Sequence, residues 1–476
     1  MSSIIIVGAG LAGLTCAKEL VEAGHHVAVL ESAPQLGGRA STFRDGEGDW
    51  VEQGLHIFLG AYTEFQKVLK DIHQDPDNIL EWMTQIRMQD EGAEAVFGID
   101  PLRAPIKTIV QLLGDNDYLS LGDKASLIPM MLPSIKTFDS LSSFDDRTVA
   151  AWWKKANGNE NAFNRLVTPF CRAIQFTEPE QFSAYNFLGW IHHVVYHPTQ
   201  TLVAGYRGAR DETIFAPFGR YLHKRGAHIE VNTPVKLVEF SPVPPDGRAT
   251  AIVLGDGRRI EADHIVLALP AWVLGDVLPA EIRELPFFEK ITTLPTAPAI
   301  SVQLWFDKKV VDYPDFTLIA NSVTPVYQDQ SDNAYPHARG SRISTVISPA
   351  EPFLQSSDEE IVATVLASLQ KVRPQIQRQH VIKSAVVRHP RHLLRPTPGT
   401  MTARPTQETP VPNLWLAGDW TQQPFFGSQE GAVRSGLACA SALMGRLNGP
   451  RDMKTEVPVQ ADETAPLPWS VRPQTS

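Results

Sequence analysis

The sequence predicts an α/β protein built on a parallel sheet, from two short stretches and one repeated pattern. The first stretch, residues 4–39, reads IIIVGAGLAGLTCAKELVEAGHHVAVLESAPQLGGR. Ile4, Ile5, Ile6 and Val7 are apolar without interruption, the mark of a strand buried on both faces. Gly8-x-Gly10-x-x-Gly13 follows, then apolar residues at helical spacing (Leu14, Ala17, Leu20, Val21), a stop at Gly24, and a second apolar strand ending on Glu31. The second stretch, LWLAGDW at 414–420, is another apolar run meeting a glycine. The pattern recurs at 265–269, where an apolar run ends on Pro270. Strand, glycine turn, helix, strand and acid in this register make a Rossmann-type dinucleotide-binding unit.

Each residue of that unit has a physical task. Gly8 permits the tight turn, Gly10 lets backbone approach a pyrophosphate, and Gly13 lets helix and strand pack closely. Leu11 and Ala12 open the helix, whose free N–H groups and positive end hold phosphates. Glu31, followed by Ser32, stands about 20 residues past the glycines, where a carboxylate accepts hydrogen bonds from ribose hydroxyls. It would repel a 2′-phosphate, which argues against NADP.

Composition bounds the rest. The chain has 476 residues, net charge −10 at pH 7, and no basic block, so nucleic acid is not an expected partner. Cys16, Cys171 and Cys439 are few and scattered, reading as buried hydrophobes rather than disulfides or metal ligands. No leader is expected before a strand that opens at Ile4, and no run of about 18 apolar residues spans a bilayer. The expected location is cytoplasmic, or peripheral on the cytoplasmic side of a membrane.

Two further motifs carry a resemblance. Leu36-Gly37-Gly38-Arg39 is followed by GDWVEQGLHIFLGAY at 48–62, and residues 414–436 read LWLAGDWTQQPFFGSQEGAVRSG. Together with the first unit they resemble the flavoprotein superfamily of amine oxidases and carotenoid desaturases. They look most like the phytoene and ζ-carotene desaturases of plants and cyanobacteria, across most of residues 3–447. The resemblance implies FAD. It places Gly38 and Arg39 along the diphosphate, Gly54, Leu55 and His56 near the flavin, and the backbone of Val235 beside the adenine. It brings Gly418 and Asp419 to the ribityl chain, and Glu430, Ala432 and Val433 to a helix N-terminus facing the flavin edge. Ser428 is the expected N-cap of that helix, with Glu430 in its first turn.

Between these motifs the chain divides into expected units. Residues 1–75, 205–290 and 405–450 form a discontinuous FAD-binding domain. Residues 76–204 and 291–404 form an α+β substrate domain, and 451–476, rich in proline and charge, a disordered tail. A hairpin is expected around 86–99, a mixed sheet at 299–307 and 343–347, and a helix at 358–372. Residues 101–138 are apolar, broken by Gly114, Gly122, Pro129 and Pro133, with Lys107, Lys124 and Lys136 spaced along them. That suits an interfacial helix in lipid, with a buried lid over the active site as the alternative. His192, His193 and His197 lack the glutamate and third ligand of a zinc site, so no metal is expected. The helix bearing them is expected to line a substrate channel, with Trp190, His192 and, beyond it, Phe426 as pocket residues. Phytoene-type members carry an arginine at the position that aligns with His192, a departure that weakens phytoene itself as substrate.

The chemistry implied is FAD-driven, with no catalytic side chain nominated. There is no Ser–His–Asp order, no CxxC and no second dinucleotide loop for NAD(P)H. By resemblance, an allylic CH₂–CH₂ of a polyene loses a hydride to flavin N5 and a proton nearby, and a membrane quinone reoxidises the cofactor. Hydroxysqualene dehydroxylase or another isoprenoid-modifying flavoenzyme is the alternative. A flavin amine oxidase, and an FAD scaffold without activity, stand further off.

Overall fold

Two sheets and the seam between them position everything else. The computed structural model describes residues 1–99, 117–135, 138–196, 202–242, 247–335 and 340–448. Much of the apolar 101–138 segment, His197 and the 451–476 tail therefore lie outside the described residues.

The first sheet is five-stranded and wholly parallel, in the order His228–Glu230, His26–Leu30, Ser3–Val7, His264–Leu267, Leu414–Leu416. The strand Ser3–Val7 sits at its centre, buried from Ile4 onward, as an uninterrupted apolar run requires. The helix Leu11–Glu22 packs on one face and crosses the helix Gln429–Asn448. Gly436 makes that crossing possible, because a Cβ there would lie 2.4 Å from the Ala12 carbonyl oxygen. Below it, the buried thiols of Cys16 and Cys439 interact, and this contact with burial holds Cys16 well above its ordinary pKa.

The second sheet has seven strands, ordered Val381–Leu394, Thr296–Phe306, Arg342–Ile347, Val326–Asp329, Thr317–Ile319, Gln85–Asp90, Ala93–Gly98. Neighbours are antiparallel except Thr317–Ile319 with Gln85–Asp90. The expected hairpin around 86–99 is its edge pair. Alternation divides its two faces. Ile300, Val302, Leu304, Ile343 and Ile347 pack in one cluster with Ile361, Val365 and Leu369 of the helix Asp358–Val372. Ser357 and Glu360 close a capping box at that helix's start.

Gln303 and Ser344 belong to the opposite face and meet the strand Trp50–Glu52. Gln303 and Glu52 exchange two hydrogen bonds at 2.9 Å, backbone N–H to amide oxygen and amide N–H to backbone oxygen. The Glu52 carboxylate also pairs with Arg210 at 2.9 Å, both about 1% exposed. It further accepts from Gln330 at 2.9 Å and Ser344 at 3.3 Å. Arg210 in turn donates to the Ala40 carbonyl at 2.7 Å.

Removing one member of a buried ion pair strands the other charge, at a cost of about 3–5 kcal/mol. We therefore expect Arg210→Met to lose about that much stability in urea unfolding, with lowered occupancy of any bound cofactor. A loss under about 1 kcal/mol would mean the seam does not depend on this pair.

Candidate cofactor and active site

The glycines of the first loop are needed for different reasons. Gly8 has φ +106°, and a Cβ on it would lie 2.5 Å from the Ala268 carbonyl oxygen. A Cβ on Gly13 would lie 2.0 Å from the Gly8 carbonyl oxygen, so only glycine lets the helix approach the strand. Gly10 is unlike both. Its φ of −73° suits any residue, and a Cβ there meets nothing within 4 Å. Neither backbone nor packing demands glycine at this point, and the open space beside it leaves room for the close approach of a ligand.

A second glycine loop locks onto the first. The Gly37 N–H donates to the Ala9 carbonyl at 2.8 Å, and Gly10 and Gly37 form a parallel bridge. Gly37 and Gly38 both have positive φ. Glu31, buried beside them, accepts from the Ala9 N–H at 2.7 Å on one oxygen. Its other oxygen accepts from the Ala33 N–H at 2.9 Å and the Ser32 hydroxyl at 3.2 Å. A carboxylate offers about four acceptor sites and three are taken here, so this one is oriented with capacity left for one hydroxyl. The Thr233 N–H donates to the Glu31 carbonyl at 2.8 Å, which brings the Val235 segment to the same edge.

The closing motif arrives from the opposite end of the chain. Arg39 pairs with Asp419 at 2.5 Å and donates to the His392 carbonyl at 2.9 Å. The Gly418 N–H is held by the Ser435 hydroxyl at 2.8 Å. Buried Arg404 donates to the carbonyls of Thr421 and Gln423 at 2.7 and 2.8 Å, fixing the loop that carries Asp419. The structure thus brings Gly8, Gly10, Leu11, Ala12, Gly13, Glu31, Ser32, Gly38 and Arg39 together with Gly418 and Asp419. Open space beside Gly10, two interlocked glycine loops, a helix N-terminus and an oriented carboxylate fit a dinucleotide diphosphate and its ribose.

Beyond Arg39 the site turns histidine-rich, then apolar. His56 is half-buried, and its Nδ1 contacts the Gly54 carbonyl at 2.7 Å. Burial, with the charge of Arg210 second, pushes its pKa down to about 3, so the ring is neutral. Leu55 and Ile57 flank it and pack against Met83, Phe316, Val326 and Val346. Phe176 joins this apolar cluster from the end of the helix Thr168–Gln175, with φ +49°, an uncommon conformation for a bulky residue.

Four expectations need correction. The Glu430 carboxylate does not face the cofactor loops. It accepts from the Glu64 and Phe65 amides at 3.1 and 2.9 Å, capping the helix Thr63–Asp71, and pairs with Arg434 at 2.7 Å. The amide of Ala432 is spent on the Ser428 carbonyl, and buried Val433 lies a residue deeper in the helix. With Ser428 as cap, accepting from Gly431, the helix-end donors are the amides of Gln429 and Glu430. His192 turns its Nδ1 to the Ser134 carbonyl at 2.8 Å, towards the 132–135 turn. It is His193 that stacks on Phe425 at 4.0 Å, with Trp190 edge-on at 6.2 Å. Phe426 is 1% exposed and packs in the core with Trp420 and Met401, under the Arg404 guanidinium. Helical register accounts for the first three, and loop burial for the last. Among the described residues no group of three His, Cys, Asp or Glu could hold a metal.

Comparison with known proteins follows the same lines. A family model described as flavin containing amine oxidoreductase matches residues 11–444. Relatives include a 15-cis-phytoene desaturase of Synechococcus elongatus, 31% identical over 457 residues, covering 93% of this chain and 96% of that one. A zeta-carotene desaturase of Synechocystis sp. is 27% identical over 477 residues, covering 93% and 97%. Among solved structures, an oxidoreductase from Methanosarcina mazei has TM-score 0.70 and 17% identity, covering 93% of this chain and 99% of that one. Cyclohexylamine oxidase from Brevibacterium oxydans has TM-score 0.67 and 18% identity, covering 94% and 100%. These two share the fold.

The contrast between Gly10 and Gly13 is testable. We expect Gly10→Val to fold with a melting temperature near that of wild type stripped of flavin, and to purify without flavin absorbance. Gly13→Val should lose stability as well, because its side chain meets backbone at 2.0 Å. A yellow Gly10→Val protein would refute the reading of Gly10.

Proposed function

Because the chain belongs to the flavin containing amine oxidoreductase family and is an FAD-dependent oxidoreductase, we propose that it desaturates a long isoprenoid, a carotene of the phytoene or ζ-carotene class. The observation that carries this reading is the apolar cluster beside His56. Leu55, Ile57, Phe176, Phe316, Val326 and Val346 suit a hydrocarbon with no polar atom to satisfy. Relatives named as desaturases over nearly the full chain support the same substrate class.

FAD, when bound, supplies the hydride acceptor and two-electron capacity that no side chain has. The protein holds and orients it. Gly10 and the amides opening the helix Leu11–Glu22 take the diphosphate, Glu31 the adenosine ribose, and the Val235 backbone the adenine. Arg39 and Asp419, paired at 2.5 Å, divide the diphosphate and the ribityl hydroxyls between them. The amides of Gln429 and Glu430 put a positive helix end at the ring. The apolar cluster excludes water from the reacting carbons. We assign residues 1–75, 205–290 and 405–450 to the cofactor-binding unit, since the parallel sheet draws strands from all three. Residues 76–204 and 291–404 form the substrate unit.

A quinone is the proposed terminal acceptor, reached at a membrane surface. Among the described residues no helix is long and apolar enough to cross a membrane. The helix Leu121–Met131 instead leaves Leu121 62% exposed, and Leu132 just past it 54% exposed, apolar side chains suited to peripheral contact.

Three measurements check this. FAD-loaded protein given phytoene, ζ-carotene, hydroxysqualene or an amine in liposomes, with a quinone, should form new double bonds only in a carotene, read by chromatography. Conversion of hydroxysqualene or the amine alone would replace the reading. In flotation with neutral liposomes the protein should rise and stay bound in moderate salt, since burial rather than charge holds it. Asp419→Ala should bind FAD about 10- to 100-fold more weakly, the loss of one acceptor for buried hydroxyls.

A further inference from the structure

Desaturation, if the reading above is right, removes a proton as well as a hydride, and that proton needs an acceptor. The acidic groups around the site are already committed. Glu52 is held by Arg210, Asp419 by Arg39, and Glu430 by two backbone amides and Arg434. The His56 Nδ1 is on the Gly54 carbonyl.

His392 differs. It lies on the strand Val381–Leu394, 7% exposed, and its Nδ1 is buried without a hydrogen-bond partner. Its ring meets Phe176 edge-on, centroids 5.2 Å apart, where Phe176 joins the apolar cluster. Its own carbonyl accepts from Arg39, which ties it to the cofactor loops. His389 also lies beside it, centroids 5.0 Å apart. The His389 Nε2 lies 2.8 Å from the Gln53 carbonyl. Gln53 in turn lines an open groove of about 540 Å³ with Pro34, Gln35, Thr42, Phe43 and Trp50. A buried nitrogen left unpaired is costly, so its retention between an apolar cluster and an open groove calls for a role.

We propose that His392 is the base that takes the substrate's proton, and that His389 and the Gln53 groove lead that proton to solvent. One substrate C–H bond gives up its hydrogen with both electrons to oxidised FAD. The adjacent C–H bond gives its proton to the Nδ1 of His392, and its electron pair becomes the new C=C bond. The imidazolium then passes its proton by way of His389 to water in the groove, returning His392 to its neutral form. The groups facing His392 are His389, Arg39 and His56, all cationic when protonated. Burial first, then these neighbours, holds its pKa well below the usual histidine value. It therefore rests neutral and releases a captured proton readily, and a weak base suffices once hydride departure has made the neighbouring C–H acidic.

Two experiments decide the proposal. In anaerobic stopped-flow with the carotene that wild type consumes, His392→Gln should slow flavin reduction about 10²- to 10⁴-fold, with FAD content and visible spectrum unchanged. His392→Phe keeps the test alive if the glutamine variant does not fold. Wild-type reduction rates in either variant would overturn the proposal, and so would loss of bound flavin, which would make His392 a cofactor-holding residue. Should no carotene reduce the wild-type flavin, the desaturase reading fails, and nitrogen-15 histidine NMR of FAD-loaded protein judges His392 separately. Its resonance, assigned by its loss in the variant, should be that of a neutral ring from about pH 6 to about pH 8. An imidazolium at neutral pH would overturn its role as acceptor.

Discussion

The buried pair of Glu52 and Arg210 is the constraint on which the site's geometry rests. Two unit charges withdrawn from water are tolerable only with near-complete hydrogen bonding. Gln330, Ser344, Ala40 and the reciprocal bonds of Gln303 provide it. Gln303 and Ser344 lie on the seven-stranded sheet, Gln330 just past one of its strands, and Ala40 at the end of the second glycine loop, so the pair fixes the segment from Ala40 to Gly54 against that sheet. Arg39 lies just before that segment and His56 just after it. Their positions follow from a salt bridge that touches neither ligand nor reacting atom.

The same logic of commitment runs through the site. Asp419 has Arg39, Glu430 has a helix end and an arginine, and Glu31 has two amides and a hydroxyl. Charges that are paired at rest can be traded for ligand contacts without exposing a bare ion to a dry interior. The cluster beyond is apolar, and burial keeps the nearby rings of His56 and His392 neutral.

Much of this was legible in the sequence, and what was missed shares a cause. The strand–glycine–helix–strand unit, the capped helix Asp358–Val372 and the 86–99 hairpin follow from local periodicity and spacing, which a single sequence displays. Glu31 and Asp419 stand out for the same reason. Arg210, Gln303 and Arg404 do not, because buried polar residues declare themselves only through partners far away in the chain. Glu430 follows from motif proximity and His192 from alignment with an arginine of phytoene-type members, but one helical step of about 100° decides whether a side chain faces the site or a neighbouring helix. His392 had no signal beyond an unusual pair of histidines on a strand.

Gly436 carries a consequence for how the protein is made. Its contact with Ala12 welds the first helix to the last, and the strand Leu414–Leu416 closes the sheet that Ser3–Val7 opens. A ribosome adding roughly 5–20 residues per second needs about 20–80 s to reach residue 414. Throughout that interval the nascent N-terminal strand has its first neighbours but not the outermost strand or its covering helix. The dinucleotide pocket is therefore complete only once Leu414–Leu416 and the helix Gln429–Asn448 have been made, so the loop that opens at Gly8 waits for them before it can hold FAD.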